Sequence, residues 1–179
     1  LHGWGAKDFI VITVARLHPQ KGVHYSLRGF ARFARMIPEA RYLIVGDGPA
    51  RAGLETLAVE LGIGDKVQFA GAVSRCAVAD LLNAADVFLL TTVHQEGLPL
   101  DILEALSVGV PVIVSRHIVD GHDWSGTIAV DPRDELEVAQ ALTSAYRHQP
   151  ASRMSTLPRE FSLEFMAQQY VELFEKLKR

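Results

Sequence analysis

The stretch FIVITVARLHPQKG, residues 9–22, decides the fold. Its first half, residues 9–15, is apolar or β-branched throughout and reads as a short buried strand. Its second half carries Arg16, Lys21 and a turn-forming Pro19. Directly after it, Val23, Leu27, Phe30, Ala31 and Ala34 recur at the spacing of one helix face. A strand, a charged loop and an amphipathic helix therefore follow one another without a break.

Outward from this unit the pattern repeats. Residues 42–45, 67–70, 87–90, 110–114 and 127–130 read as further buried strands. Pro49 opens a second helix through Leu54, Leu57, Ala58 and Leu61, which Gly62 and Gly64 stop. Residues 74–84 form a third helix, residues 99–108 a fourth closed by Gly109, and residues 135–148 a fifth. Near-continuous apolar strands alternating with helices imply a parallel sheet covered on both faces. Right-handed crossovers then give a Rossmann-like, three-layer α/β/α domain with about six strands. One domain is expected over residues 1–179, with its core at 8–150 and a C-terminal helix at 160–179. A polar stretch, ASRMSTLPRE, precedes that helix. Its Met166, Tyr170, Leu173 and Leu177 share a face, which is expected to pack back on the domain or on a partner domain outside the chain.

Composition excludes several classes. At 179 residues, 49% apolar and 22% charged, the chain suits one globular core. A net charge of -3 gives no polyanion-binding signal, so nucleic acid is not an expected partner. No apolar run reaches the ~18 residues of a membrane span, and LHGWGAKDF is no signal peptide. Cys76 is the only cysteine, which excludes an internal disulfide and fits a reducing, cytoplasmic setting. It reads as a small hydrophobe on its helix. Because the chain opens on Leu1 and runs almost at once into a strand, it reads as a domain of a longer protein.

In such a sheet ligands bind outside the carboxyl ends of the strands. Arg16 and Lys21 there suit a diphosphate, one by a planar fork and the other by a compact charge, or they are ordinary solvated cations. VGDGPARAG, residues 45–53, resembles a dinucleotide fingerprint, but Arg51 stands where G-x-G-x-x-G requires glycine, and no P-loop Lys follows. Gly46 and Gly48 instead suit a tight turn and close backbone approach. After the strand at 87–90, a loop carries His94 and Glu96, and Pro99 starts the next helix. Gly97, Leu98 and Leu100 offer backbone N–H groups near its positive end, where Asp101 suits the dipole. Glu104, one turn further on an apolar helix, calls for partners such as ribose hydroxyls, or stands solvated on the helix face. His117, Asp120, His122 and Asp123 match no strong metal template and read as a polar loop.

Taken in order, Arg16 with Lys21 and Gly22, LIVGDGP, KVQFAGAV and EGLPL-x-x-LEAL-x-x-G-VPV resemble the donor-binding domain of family 4 glycosyltransferases. The resemblance runs from about residue 11 to 179 and includes FSLEFMAQQYVELF, similar to the family's closing helix. It implies half of a GT-B architecture, two Rossmann-like domains facing across a cleft, and a retaining transfer from a nucleoside-diphosphate sugar linked to UDP, GDP or ADP. Arg16 and Lys21 would neutralise the diphosphate and, with Glu96, form the catalytic set. Glu96 would contact the donor sugar, the backbone of Gly97, Leu98, Pro99 and Leu100 would hold sugar and phosphate oxygens, Glu104 would hold the ribose, and Val73 backbone would meet the base. No cofactor or metal is implied. The resemblance further implies an N-terminal acceptor domain outside this chain, through which the whole protein would associate with the inner membrane face, a glycan or lipid-linked acceptor, and an isolated domain without activity. One departure stands out: RHIVDGHDWSG, residues 116–126, lacks the glycine pair and downstream Glu common in the family. His117, Asp120 and Trp124 therefore receive no role by resemblance. Two alternatives use similar contacts, a nucleotide-sugar epimerase and a non-catalytic nucleotide-sugar-binding module.

Overall fold

The computed structural model describes residues 3–95, 97, 99–119 and 124–177. Six strands, β1 (Phe9–Val14), β2 (Ala40–Val45), β3 (Val67–Gly71), β4 (Val87–Leu90), β5 (Val112–Ser115) and β6 (Thr127–Val130), form one sheet in the order β3-β2-β1-β4-β5-β6. Every strand pairing is parallel. Among the described residues the helices are α1 (Val23–Met36), α2 (Arg51–Glu60), α3 (Arg75–Ala84), α4 (Leu100–Ser107), α5 (Glu135–Arg147) and α6 (Leu163–Leu177).

Side-chain alternation along β1 explains the layers. Phe9 and Val11 point into a cluster with Leu27, Phe30 and Phe33 of α1, Leu54 of α2 and Leu142 of α5. Ile10 and Ile12 point the other way, against Leu82 of α3 and Ile102 and Leu106 of α4. A strand buried on both faces needs apolar residues at every position, which is why 9–15 reads as a continuous run. The expected three-layer Rossmann-like fold is what forms.

Several boundaries differ from expectation, for local reasons. Val110 is not in β5, because its N–H bonds to Ala105 O and closes α4. Pro49 does not start α2; it sits in a turn closed by Arg51 N on Gly48 O, and Ala50 is the N-cap. Cys76, expected as a small hydrophobe on its helix, is exposed on α3, which buries only Leu82. Of the two placements expected for the apolar face of α6, packing back on the sheet is not seen: Met166 is 45% exposed and Leu177 74%. The segment ahead of it is anchored instead, by Phe161 against the buried Trp124 ring at 5.8 Å.

Candidate functional site

The strand order reverses between β1 and β4, which opens a crevice at their carboxyl ends. Beyond Val14 the chain leaves the sheet, and Pro19–Lys21 forms one turn of 3-10 helix. His18 caps this turn through Nδ1, which accepts from Gln20 N at 3.4 Å. Gly22, at φ 65, ends the turn and is also the N-cap of α1.

The turn is held from β4. Thr92 Oγ1 donates to Gln20 O at 3.0 Å, and Val93 N donates to the same carbonyl at 3.0 Å. Thr91 Oγ1 donates to Gly22 O at 2.8 Å. Its single proton is thereby used, so Ser26 Oγ, 2.5 Å away, is the donor of that pair. Ser115 Oγ, at the end of β5, donates to Thr92 O at 2.7 Å. Deeper in the same layer Thr13 Oγ1 donates to Leu89 O and accepts from Tyr42 OH at 2.7 Å. Burial pushes the Tyr42 phenol up to about 12, against the opposing effect of hydrogen bonds with Ser26 and Thr13, so it stays a donor. Thr91, Thr92 and Ser115 are not marked by any local motif; their signal is three hydroxyls at or just beyond the ends of two otherwise apolar strands.

A cavity of about 330 Å³ lies over the ends of β1, β2 and β3. Val14, Val45 and Val78 give it apolar walls, and Arg16, Asp47 and Asp101 give it polar ones. Val73, just past β3, lines it as well. Gly46, at φ 125, abuts Ala15, and a Cβ there would collide with the Ala15 carbonyl oxygen. This is the close approach expected of the glycine loop. Arg51 braces that loop, with Nε 2.8 Å from Glu55 Oε1 and Nη1 3.4 Å from Asp47 Oδ2. The Glu55 hydrogen bond chiefly, and the charge of both carboxylates, hold its pKa above the usual value. Where a dinucleotide fold would have glycine, this chain therefore has a strut.

The sequence-predicted residues are placed as follows. Arg16 is exposed at the cavity mouth and forms no ion pair with a described residue. Lys21 is half-buried, in the turn whose Gln20 carbonyl Thr92 holds, and does not line that cavity. Pro99 is the buried N-cap of α4, and Leu100, its first residue, is 67% exposed. Asp101 in that first turn reaches the cavity wall. Ile102, Ala105 and Leu106 bury the inner face of α4, which leaves Glu104 exposed on the outer face, without a side-chain partner among the described residues. Gly97 is exposed, while Glu96 and Leu98 lie outside the described residues. So do Asp120, His122 and Asp123 of the polar loop. His117, left without a role above, has Nε2 3.0 Å from His94 O. Arg116 pairs with Glu137 at 2.5 Å, and Glu137 also accepts from Asp131 N at 2.7 Å. A second cavity, of about 390 Å³ and lined by Val110, Ile128, Ala145 and Met154, opens at the opposite ends of β5 and β6 and holds none of these residues.

Residues 2–153 match the family described as glycosyl transferases, group 1. The chain belongs to this family. Its fold is the Rossmann-like C-terminal domain of the GT-B architecture. Among relatives of the group 1 glycosyl transferases, a lipopolysaccharide core biosynthesis glycosyltransferase, LpsD of Rhizobium meliloti, is 31% identical over 185 residues, covering 96% of this chain and 50% of that protein. The chain therefore spans about half the length of that relative. Sucrose-phosphate synthase of Thermosynechococcus elongatus superposes with a TM-score of 0.78 at 26% identity, covering 97% of this chain and 46% of that one. HepE of Anabaena, solved in complex with UDP, superposes with a TM-score of 0.80 at 21% identity, covering 96% and 50%.

Proposed function

We propose that this chain is the donor-binding domain of a family 4, retaining glycosyltransferase that takes a sugar from a nucleoside-diphosphate sugar. The observation that carries this reading is the cavity at the ends of β1 to β3. It combines apolar walls, Val73 and the Arg16 cation, and the tethered turn that carries Lys21 follows Arg16 in the chain. Apolar walls suit a nucleobase, and cations beside the positive end of α4 suit the diphosphate. Glu104, unpartnered among the described residues, is available to ribose hydroxyls. Glu96, with the backbone from Gly97 to Leu100, is assigned to the sugar and its nearest phosphate. The transfer breaks the bond from the anomeric carbon to the phosphate oxygen and forms a bond to the acceptor hydroxyl on the same face. The acceptor proton passes to the departing phosphate, so Glu96 positions the donor rather than attacking it. Arg16 and Lys21 stabilise the charge that grows on the leaving diphosphate, a role that requires no metal. The kinship with LpsD supports a glycan or lipid-linked acceptor, held mainly by an N-terminal domain of the whole protein.

Calorimetry with UDP, GDP and ADP tests the reading. Binding of one of them is expected, weakened by Lys21→Ala and by Glu104→Ala. Absence of heat with all three at millimolar concentration defeats it.

A further inference from the structure

Lys21 lies between two backbone carbonyls that β4 holds: Gln20 O on one side, bonded by Thr92 Oγ1 and Val93 N, and Gly22 O on the other, bonded by Thr91 Oγ1. Thr92 is fully buried, and its own carbonyl accepts from Ser115. Three strand ends are thus stitched in series, from β5 to β4 to the turn after β1. We propose that Thr92 is a positioning residue for the donor diphosphate, acting through Lys21. The inference rests on the nucleoside-diphosphate reading above.

The mechanical link is the peptide plane. Gln20 C=O and Lys21 N–H belong to one rigid planar unit, so fixing the carbonyl fixes the direction in which the chain enters Lys21. A group that meets a ligand must be held by neighbours whose own geometry is locked, and the Ser115–Thr92–Gln20 series supplies that lock. The residue type supports the same assignment. Valine would fill this buried site with the same volume and without a hydroxyl to satisfy. The preceding residues of β4, Val87, Phe88, Leu89 and Leu90, are all apolar. The hydroxyl supplies what valine could not, a second donor to Gln20 O. Thr91 acts similarly on Gly22 O but also meets Ser26 in the core, so its loss would disturb packing as well.

The test compares Thr92→Val and Thr92→Ser in the 179-residue chain by calorimetry with UDP, GDP, ADP and the matching nucleosides. Thermal unfolding is followed in parallel. For the nucleotide that the wild type binds, Thr92→Val is expected to lose about tenfold in diphosphate affinity, while the nucleoside binds as before and Thr92→Ser restores affinity to within about twofold. In a Lys21→Ala background, Thr92→Val is expected to cost nothing further, because both changes act on one contact. An equal loss for nucleoside and diphosphate, no loss at all, or full additivity with Lys21→Ala each overturns the assignment. If Thr92→Val fails to fold, a Thr92→Ser chain that folds but binds the diphosphate tenfold more weakly overturns it too. A wild type that binds none of the nucleotides removes the donor reading itself and this inference with it. A wild type that binds alongside an unaffected Thr92→Val removes only the inference.

Discussion

His117 Nε2 stands 3.0 Å from the carbonyl oxygen of His94. A carbonyl only accepts, so this ring nitrogen carries the proton and the imidazole donates. The bond ties the end of β5 to the loop that leads into Glu96. His117→Ala is therefore expected to weaken binding of a nucleotide sugar severalfold while leaving the nucleoside diphosphate nearly unaffected. Calorimetry with the two ligands side by side measures the difference; equal effects on both would show that the bond has no part in holding the sugar.

Gly22→Ala is expected to destabilise the chain by about 1–3 kcal/mol, the usual cost of a left-handed backbone in a residue with a side chain. A Cβ at this position would also meet the Thr91 carbonyl oxygen. Urea unfolding measures the loss, and a midpoint equal to that of the wild type would contradict the geometry.

Stability is expected to fall on the acid side through Glu39. Tyr146 OH donates to its carboxylate at 2.5 Å, and chiefly this hydrogen bond holds the Glu39 pKa below 4.5. A carboxyl with a lowered folded pKa binds its proton more readily in the unfolded chain. Its contribution is thus present above pH 4.5 and is lost as the pH falls through the folded value. Tyr146→Phe should flatten that part of the profile. Urea midpoints of both chains, compared from neutral pH down to pH 3, decide the matter.

Core and closing helix should respond in opposite ways. Phe33→Ala removes a fully buried ring that packs edge-on against Phe9 at 5.7 Å, and is expected to cost about 3–5 kcal/mol. Leu173→Ser in α6, at a position 50% exposed, should change stability by no more than about 0.5 kcal/mol. Thermal and urea unfolding of the two variants provides the comparison. A large loss at Leu173 would mean that α6 is packed in solution.

The sheet was legible because its strands are buried on both faces, and a continuous apolar run such as 9–15 has few other uses. Its edges were less legible wherever a cap intervened, as at Val110 and Pro49. The helical spacing of α6 was also visible, but spacing reports that a face exists and not what covers it. Charge beside a strand end marks Arg16 and Lys21 as candidates, and of the two Arg16 lines the cavity at the ends of β1 to β3. What grips the turn was hidden, since Thr92 lies 72 positions from Gln20 and nothing local marks the pair. Cys76 is exposed because α3 buries so little, which helix periodicity alone does not reveal.

The tether from β4 bears on the order in which the protein becomes competent as it leaves the ribosome. β1, β2 and β3 emerge first and are neighbours in the sheet, so this half can pair early. The residues of the cationic turn are then in place in the chain, and those that grip it are not. Thr91 and Thr92 arrive with β4, Ser115 with β5, and α5 reaches α1 later still, where Glu135 pairs with Arg32 at 3.1 Å. A nascent or prematurely ended chain would thus display the positive charges of the turn without the means to aim them. On the proposed donor reading, tight capture is expected of finished molecules alone.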